Sequence, residues 1–306
     1  MKKVEISKIQ RQFWILNEIY PKSGAYNLFS VFKLSKPLNP EYLKIAVKTV
    51  IDRHEPLRTS FEFIDNELFQ FVKDANETDI SITEVTTGQI FNENNIHPDI
   101  ITEVNSSFDL SRSPLCRITL FYFKNNISVL SIVFHHIIVD VRSEGIFAKE
   151  FCEVYNALVS KRDIKLDPVL FQYSDYIDEI TPWYLSEQYL NKLEGLAADC
   201  PEPDSNIQLP NDNIKPGDSN NEGSCIFFNI DQQLSDKVKL FASQNNINPY
   251  RFFLTAYSIF LHRLSNQDRV YIGLPLTNRT RPVSKSTFGC FINALPLLVD
   301  FSNEKS

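Results

Sequence analysis

"ISVLSIVFHHIIVDVRSEG", residues 127–145, decides how the rest of the chain is read. Residues 127–134 are apolar or hydroxyl-bearing on both faces, as expected of a strand buried at the centre of a sheet. The run ends in His135 and His136, and Asp140 follows where the chain turns. Successive side chains of a strand point to opposite faces, so only one of the two imidazoles can enter a given cleft. Imidazole, with an unperturbed pKa of about 6.5, is the side chain best suited to exchanging protons near neutral pH. Taken alone, the stretch leans towards two satisfied histidines at a strand end rather than a proton-transfer site.

Neighbouring stretches supply the partners such a strand needs. "PLCRITLFYF" (114–123) reads as a strand paired with it through a turn at Lys124-Asn125-Asn126, and Glu144 to Ser160 reads as a helix. Upstream, residues 7–20 form a helix that Ser7 can cap, with Ile9, Phe13, Leu16 and Tyr20 on one face and Pro21 ending it. Residues 25–35 alternate like a strand, and Pro40 to Asp52 is an amphipathic helix. Two short strands meet at an Asp65-Asn66 turn, and 75–105 is irregular with one helix. Residues 161–220, rich in proline and polar residues, read as a connection between two lobes, with helical segments near 174–180 and 184–198. A second mixed pattern follows: strand CIFFNI (225–230), helices 235–244 and 249–264, strand VYIGLPL (270–276) and the strand-like FINALPLLVDF (291–301). Helices and strands mix without strict βαβ alternation, which points to an α+β fold.

Composition removes several functions. Only 8 of the 306 residues are glycine, which argues against a Gly-rich phosphate loop. The net charge is −7 and no basic cluster is long enough for nucleic acid. The five cysteines are widely spaced with no CxxC, so neither a disulfide framework nor a zinc site is expected. No signal peptide or membrane-spanning run is present, and a cytoplasmic protein is expected.

The motifs shift the balance at His135-His136. SKIQRQFWILNEIYPKSGAYNL (7–28), RHEPLRTSF (53–61), SFDLSRSPLCRITLF (107–121) and HHIIVD (135–140) occur in this order. QYSDYIDE (172–179), LPNDNIKP (209–216), SIFLHRLSNQDRVYIGLPLTNR (258–279) and FGCFINALPL (288–297) follow. The succession resembles the condensation domains of nonribosomal peptide synthetases over nearly the whole chain. That resemblance implies two chloramphenicol-acetyltransferase-like lobes in a V, here residues 1–178 with the HHxxxD motif and a partial lobe 179–306, with a tunnel between them. It implies amide formation between an acyl or peptidyl thioester on a donor peptidyl carrier protein and an aminoacyl thioester on an acceptor carrier protein, with adjacent synthetase domains as further partners. No cofactor of its own and no metal are implied, since the phosphopantetheine arms belong to the carriers. By the family pattern His136 is the catalytic imidazole, facing the tunnel. His135 is structural, Asp140 pairs with Arg279 of the "NR" motif, and Arg58 supports the active-site loop.

Two departures bear on activity. Val141 stands where the family motif HHxxxDG has glycine, and a β-branched residue is strained if φ is positive there. The sequence also stops at Ser306, soon after FINALPLLVDF; by the resemblance the second lobe would be incomplete and an apolar strand edge exposed, as expected either of a fragment of a longer synthetase or of a shortened protein. These departures keep open a non-catalytic or degenerate carrier-docking module; the Met1 start and the absence of a carrier-protein serine motif keep open a free-standing HHxxxD acyltransferase acting on a soluble acceptor.

Overall fold

The computed structural model describes residues 1–92, 97–199, 207–210, 226 and 228–302. The chain divides into two compact units, Met1–Leu190 with Leu276–Asn293, and Asn191–Pro275 with Ala294–Ser306.

The first unit is built around the histidine-bearing strand. Residues Ser128–His135 form β7, and all eight are buried, as the apolar run on both faces requires. Counting along the chain, the earlier strands are β1 (Lys2–Val4), β2 (Asn27–Leu34), β3 (Thr59–Ile64), β4 (Glu67–Val72), β5 (Ile82–Thr86) and β6 (Cys116–Tyr122). One sheet has the order β2-β7-β6-β5, a second the order β1-β4-β3. β7 runs antiparallel to both its neighbours, with Phe134 opposite Leu28 and Cys116. Asp65 and Asn66 both take positive φ between β3 and β4, as a two-residue hairpin prefers.

The helices of this unit are α1 (Lys8–Ile19), α2 (Pro40–Arg53), α3 (Pro98–Asn105), α4 (Val141–Ser160) and α5 (Tyr173–Tyr184), with the start of α6 (Glu187–Asp199). Helices cover both faces of the β7 sheet. On one side Phe134 meets Phe147 of α4, ring centroids 5.1 Å apart, and α2 packs on α4. On the other, Glu103 of α3 accepts hydrogen bonds from Thr119 and Ser131. Residues 131 and 134 differ in parity, so they face opposite ways.

The second unit holds most of α6, then α7 (Gln232–Gln244), α8 (Pro249–Ser265) and most of the hairpin of β8 (Arg269–Thr277) with β9 (Ile292–Asp300). β9 has only β8 beside it among the described residues.

The structure departs from the sequence reading at several elements. The helix read as starting at Glu144 starts at Val141, because the Asp140 carboxylate caps it through Ser143 N at 2.9 Å. β1 and β5 were not expected. β1 has three residues and leans on β4, while β5 pairs in parallel with β6 across a long connection, so neither carries a strong local signal. Of the expected strand CIFFNI, Cys225 and Phe227 lie outside the described residues, and Ile226 and residues 228–230 are not in a strand. The stretch 211–216 of LPNDNIKP also lies outside the described residues.

Candidate active site

β7 delivers two histidines and then releases the chain. His135 ends the strand and is buried. Its Nδ1 accepts a hydrogen bond from Ile137 N at 3.1 Å, which leaves the ring proton on Nε2. Burial, helped by the proximity of His136 and Arg117, pushes its pKa down to about 4, so the ring is neutral at pH 7.

His136 opens a short 3₁₀ turn, Ile137 and Ile138 bury against the core, and the chain reaches Val139. The His136 imidazole is half-buried. Its Nδ1 lies 2.7 Å from Val139 O, and a carbonyl can only accept, so the proton sits on Nδ1. Nε2 therefore carries the lone pair. The ring stacks on Phe13 of α1, with centroids 4.9 Å apart and planes 20° apart. Cys290 Sγ stands 4.0 Å from the same Nδ1; burial first, then Asp140, pushes that thiol far up, so it stays protonated.

Asp140 caps α4 and is buried, as is Arg279. Arg279 Nη2 donates to Asp140 Oδ1 at 2.7 Å and its Nε to Oδ2 at 3.1 Å. Ser143 N, Ser143 Oγ and Phe291 N also lie within hydrogen-bond distance of the carboxylate. Arg279 bonds the Ser284, Thr287 and Gly289 carbonyls as well, and its guanidinium stacks over Phe291 at 4.1 Å. A buried ion pair persists only when such extra bonds satisfy what is left of both groups.

Three residues that the sequence did not single out close this knot. Ser143 Oγ accepts from Gly289 N at 2.9 Å and from Arg279 Nη2 at 2.7 Å. Gly289, at φ +155°, lets the backbone pass against the Tyr173 ring; a Cβ there would stand 2.7 Å from Tyr173 Cγ. Tyr173 OH reaches Cys290 O at 2.6 Å and Ser7 Oγ at 3.0 Å, which ties α5 to the cap of α1. The one signal available beforehand was Gly289 itself, one of eight glycines, within FGCFINALPL.

Three further residues need placing. Val141 is the first residue of α4, with helical backbone and a 70% exposed side chain. The left-handed conformation that would strain a valine is absent. Arg58 lies apart from the knot, bonded to Lys73 O, with its Nε buried and unpaired. Among the described residues no hydrogen bond ties it to residues 135–143, so the support expected of it is not a direct bond. His54 follows α2 and is buried, its Nε2 3.0 Å from Glu150 Oε2. Burial alone would raise the Glu150 carboxyl, but the His54 and Arg53 hydrogen bonds outweigh it and hold the group at about 2.

The comparisons agree on one family. The condensation-domain family model matches residues 1–306. Bacitracin synthase 3 of Bacillus licheniformis is 29% identical over 299 residues, 95% of this chain but 4% of that protein. Gramicidin S synthase 2 of Brevibacillus brevis is 30% identical over 303 residues, 98% of this chain and 6% of that protein. The chain thus spans a small fraction of the curated relatives it matches. Among solved structures, the first condensation domain of the calcium-dependent antibiotic synthetase superposes with a TM-score of 0.77 at 18% identity, covering 98% of this chain and 69% of that one.

Proposed function

Because the chain belongs to the condensation-domain family of nonribosomal peptide synthetases, we propose that it forms an amide between a donor thioester and an acceptor amine, both borne on the phosphopantetheine arms of carrier proteins. The observation that carries this reading is the His136 imidazole: half-buried, stacked on Phe13, and with its proton committed to Val139 O. Nε2 is then the free acceptor. As the acceptor amine attacks the thioester carbonyl, Nε2 takes the amine proton, the carbon–sulfur bond breaks, and the proton passes to the departing thiolate. General-base assistance of this kind contributes about 10²–10⁴-fold. His135, neutral and turned into the core, is scaffold. Asp140 and Arg279 hold the start of α4 and the turn that carries His136 against residues 278–291.

The free-standing acyltransferase and the non-catalytic module find no support in the comparisons. The test loads donor and acceptor carrier proteins and follows amide product by mass spectrometry. Turnover by the native chain that disappears in His136→Ala is the expected result. A His136→Ala variant that turns over as well as the native chain removes the catalytic assignment.

A further inference from the structure

On the outer side of α4, away from the Phe147 face that packs on the sheet, lies a cleft of about 1250 Å³, within the first unit. Its walls are the solvent face of α4, the segment 165–171 that runs after it, and residues 283–286. For a small ligand the space is large and open, since pockets for such molecules run to about 300–1,000 Å³.

Its charge is opposite to that of the whole chain. The protein carries a net −7, yet Arg142, Lys149, Lys165 and Lys285 all line the cleft, all are exposed, and none forms an ion pair among the described residues. Two carboxylates on the same walls are already taken. Glu150 is paired with Arg53 and His54, and Glu153 is held by both guanidinium nitrogens of Arg162 at 2.6 and 2.8 Å. Asp167 is the remaining acidic group there.

The third wall adds a second requirement. Segment 165–171 is pinned at Lys165 N by Glu153 and at Asp167 O by Arg53. Between and beyond these points the backbone groups of Leu166, Val169, Leu170 and Phe171 make no hydrogen bond among the described residues. Leu170 is 84% exposed, and Val141 across the cleft 70%. Pro168 has no N–H to offer and Asp167 O is taken by Arg53, which leaves the unbonded N–H and C=O groups of Val169, Leu170 and Phe171, beside apolar side chains, as what a peptide strand could add to; alternate side chains of such a strand face opposite ways.

We propose that this cleft is the docking site of an extended, acidic peptide segment of a partner protein. Its backbone pairs with residues 169–171, its apolar side chains lie against Val169, Leu170 and Val141, and its carboxylates meet Lys149, Lys165, Lys285 and Arg142. The proposal does not depend on the amide-forming reading, because no group of the cleft enters that chemistry.

The probe is a fluorescein-labelled octapeptide, Glu-Val-Asp-Leu-Glu-Val-Asp-Leu, titrated with the full chain and followed by anisotropy at low salt. Saturable binding is expected. It weakens as ionic strength rises past the range where the screening length falls below about 8 Å. Lys149→Glu and Lys285→Glu each weaken it at least roughly fivefold, as like-charge contacts do, and Leu170→Asp does the same while leaving the thermal melt unchanged. His136→Ala binds like the native chain, which separates this site from the catalytic one. No saturation by about 1 mM peptide, equal binding of the Lys-Val-Arg-Leu counterpart, or indifference to both lysine reversals overturns the proposal. Binding to phosphatidylserine vesicles without binding to the peptide also overturns it, by assigning the basic rim to a lipid surface.

Discussion

Replacing Arg279 with glutamine leaves the Asp140 carboxylate buried without its counter-charge. In the native protein both side chains are almost fully buried, 4% and 5% exposed, so solvent cannot step in. Removing one partner of a buried pair typically costs about 3–5 kcal/mol. Two features set where this pair falls. Asp140 keeps Ser143 N, Ser143 Oγ and Phe291 N, which softens the loss. The Thr287 carbonyl loses its donor, whereas Ser284 O keeps Thr287 N and Gly289 O keeps Ser143 Oγ, and an orphaned buried acceptor costs about 1–3 kcal/mol. The expected loss for Arg279→Gln is about 4 kcal/mol, and for Asp140→Asn about 3, since the guanidinium there retains its carbonyl acceptors. At roughly 2–4 °C per kcal/mol for a unit of this size, Arg279→Gln lowers Tm by about 8–16 °C. Urea denaturation of both single variants and the double variant gives the coupling. The double should be less destabilised than the sum of the singles by about 1.5–3 kcal/mol. Singles that each cost under about 1 kcal/mol, or losses that add within about 0.5 kcal/mol, refute the view that this pair anchors the start of α4.

Further outcomes follow from neighbouring residues. Acid should destabilise the protein through His135: its folded pKa, about 4, lies below the unfolded 6.5, so the unfolded chain takes the proton first. The contribution is complete above pH 6.5 and is lost as pH falls towards 4, by up to about 3 kcal/mol; Glu150, held at about 2 against 4.5, extends the loss between those values. Urea midpoints at pH 7, 5.5 and 4.5 should fall steadily, and less steeply in His135→Gln; a flat profile counts against a neutral buried His135. Gly289→Ala should cost about 1–3 kcal/mol by overpacking against Tyr173, part of it recovered in Tyr173→Leu, and an unchanged urea midpoint would show that the ring moves aside freely. Val141→Gly should change stability by no more than about 1 kcal/mol and leave amide formation unaltered, because Val141 is an exposed helical residue; a gain in turnover on removing the side chain would show that it obstructs the reaction.

Most of the first unit was legible because its signals are local. The unbroken apolar run of β7, the Ser7 cap of α1 and the Asp65-Asn66 turn each depend on residues a few positions apart, and each is found at or within a residue or two of where it was read. β5 was not legible because what makes it a strand is its parallel neighbour, more than thirty positions on. Val141 shows the same division. The departure from HHxxxDG was visible at once, but its consequence turned on backbone conformation, and only the cap made by Asp140 shows that α4 begins there.

The sequence by itself determined which chemistry is available: a buried strand ending in two imidazoles, an aspartate four residues past the second, and the order of motifs that marks the family. The tertiary structure decided what those groups do to one another. His136 has its tautomer set by a carbonyl three residues away and its ring seated on Phe13, which comes from another helix. Ser143 and Gly289 meet across 146 residues, and Tyr173 and Cys290 across 117. A hydrogen bond acts over about 3 Å and leaves no pattern in the intervening chain, so partners this far apart become recognisable only once the fold has brought them together.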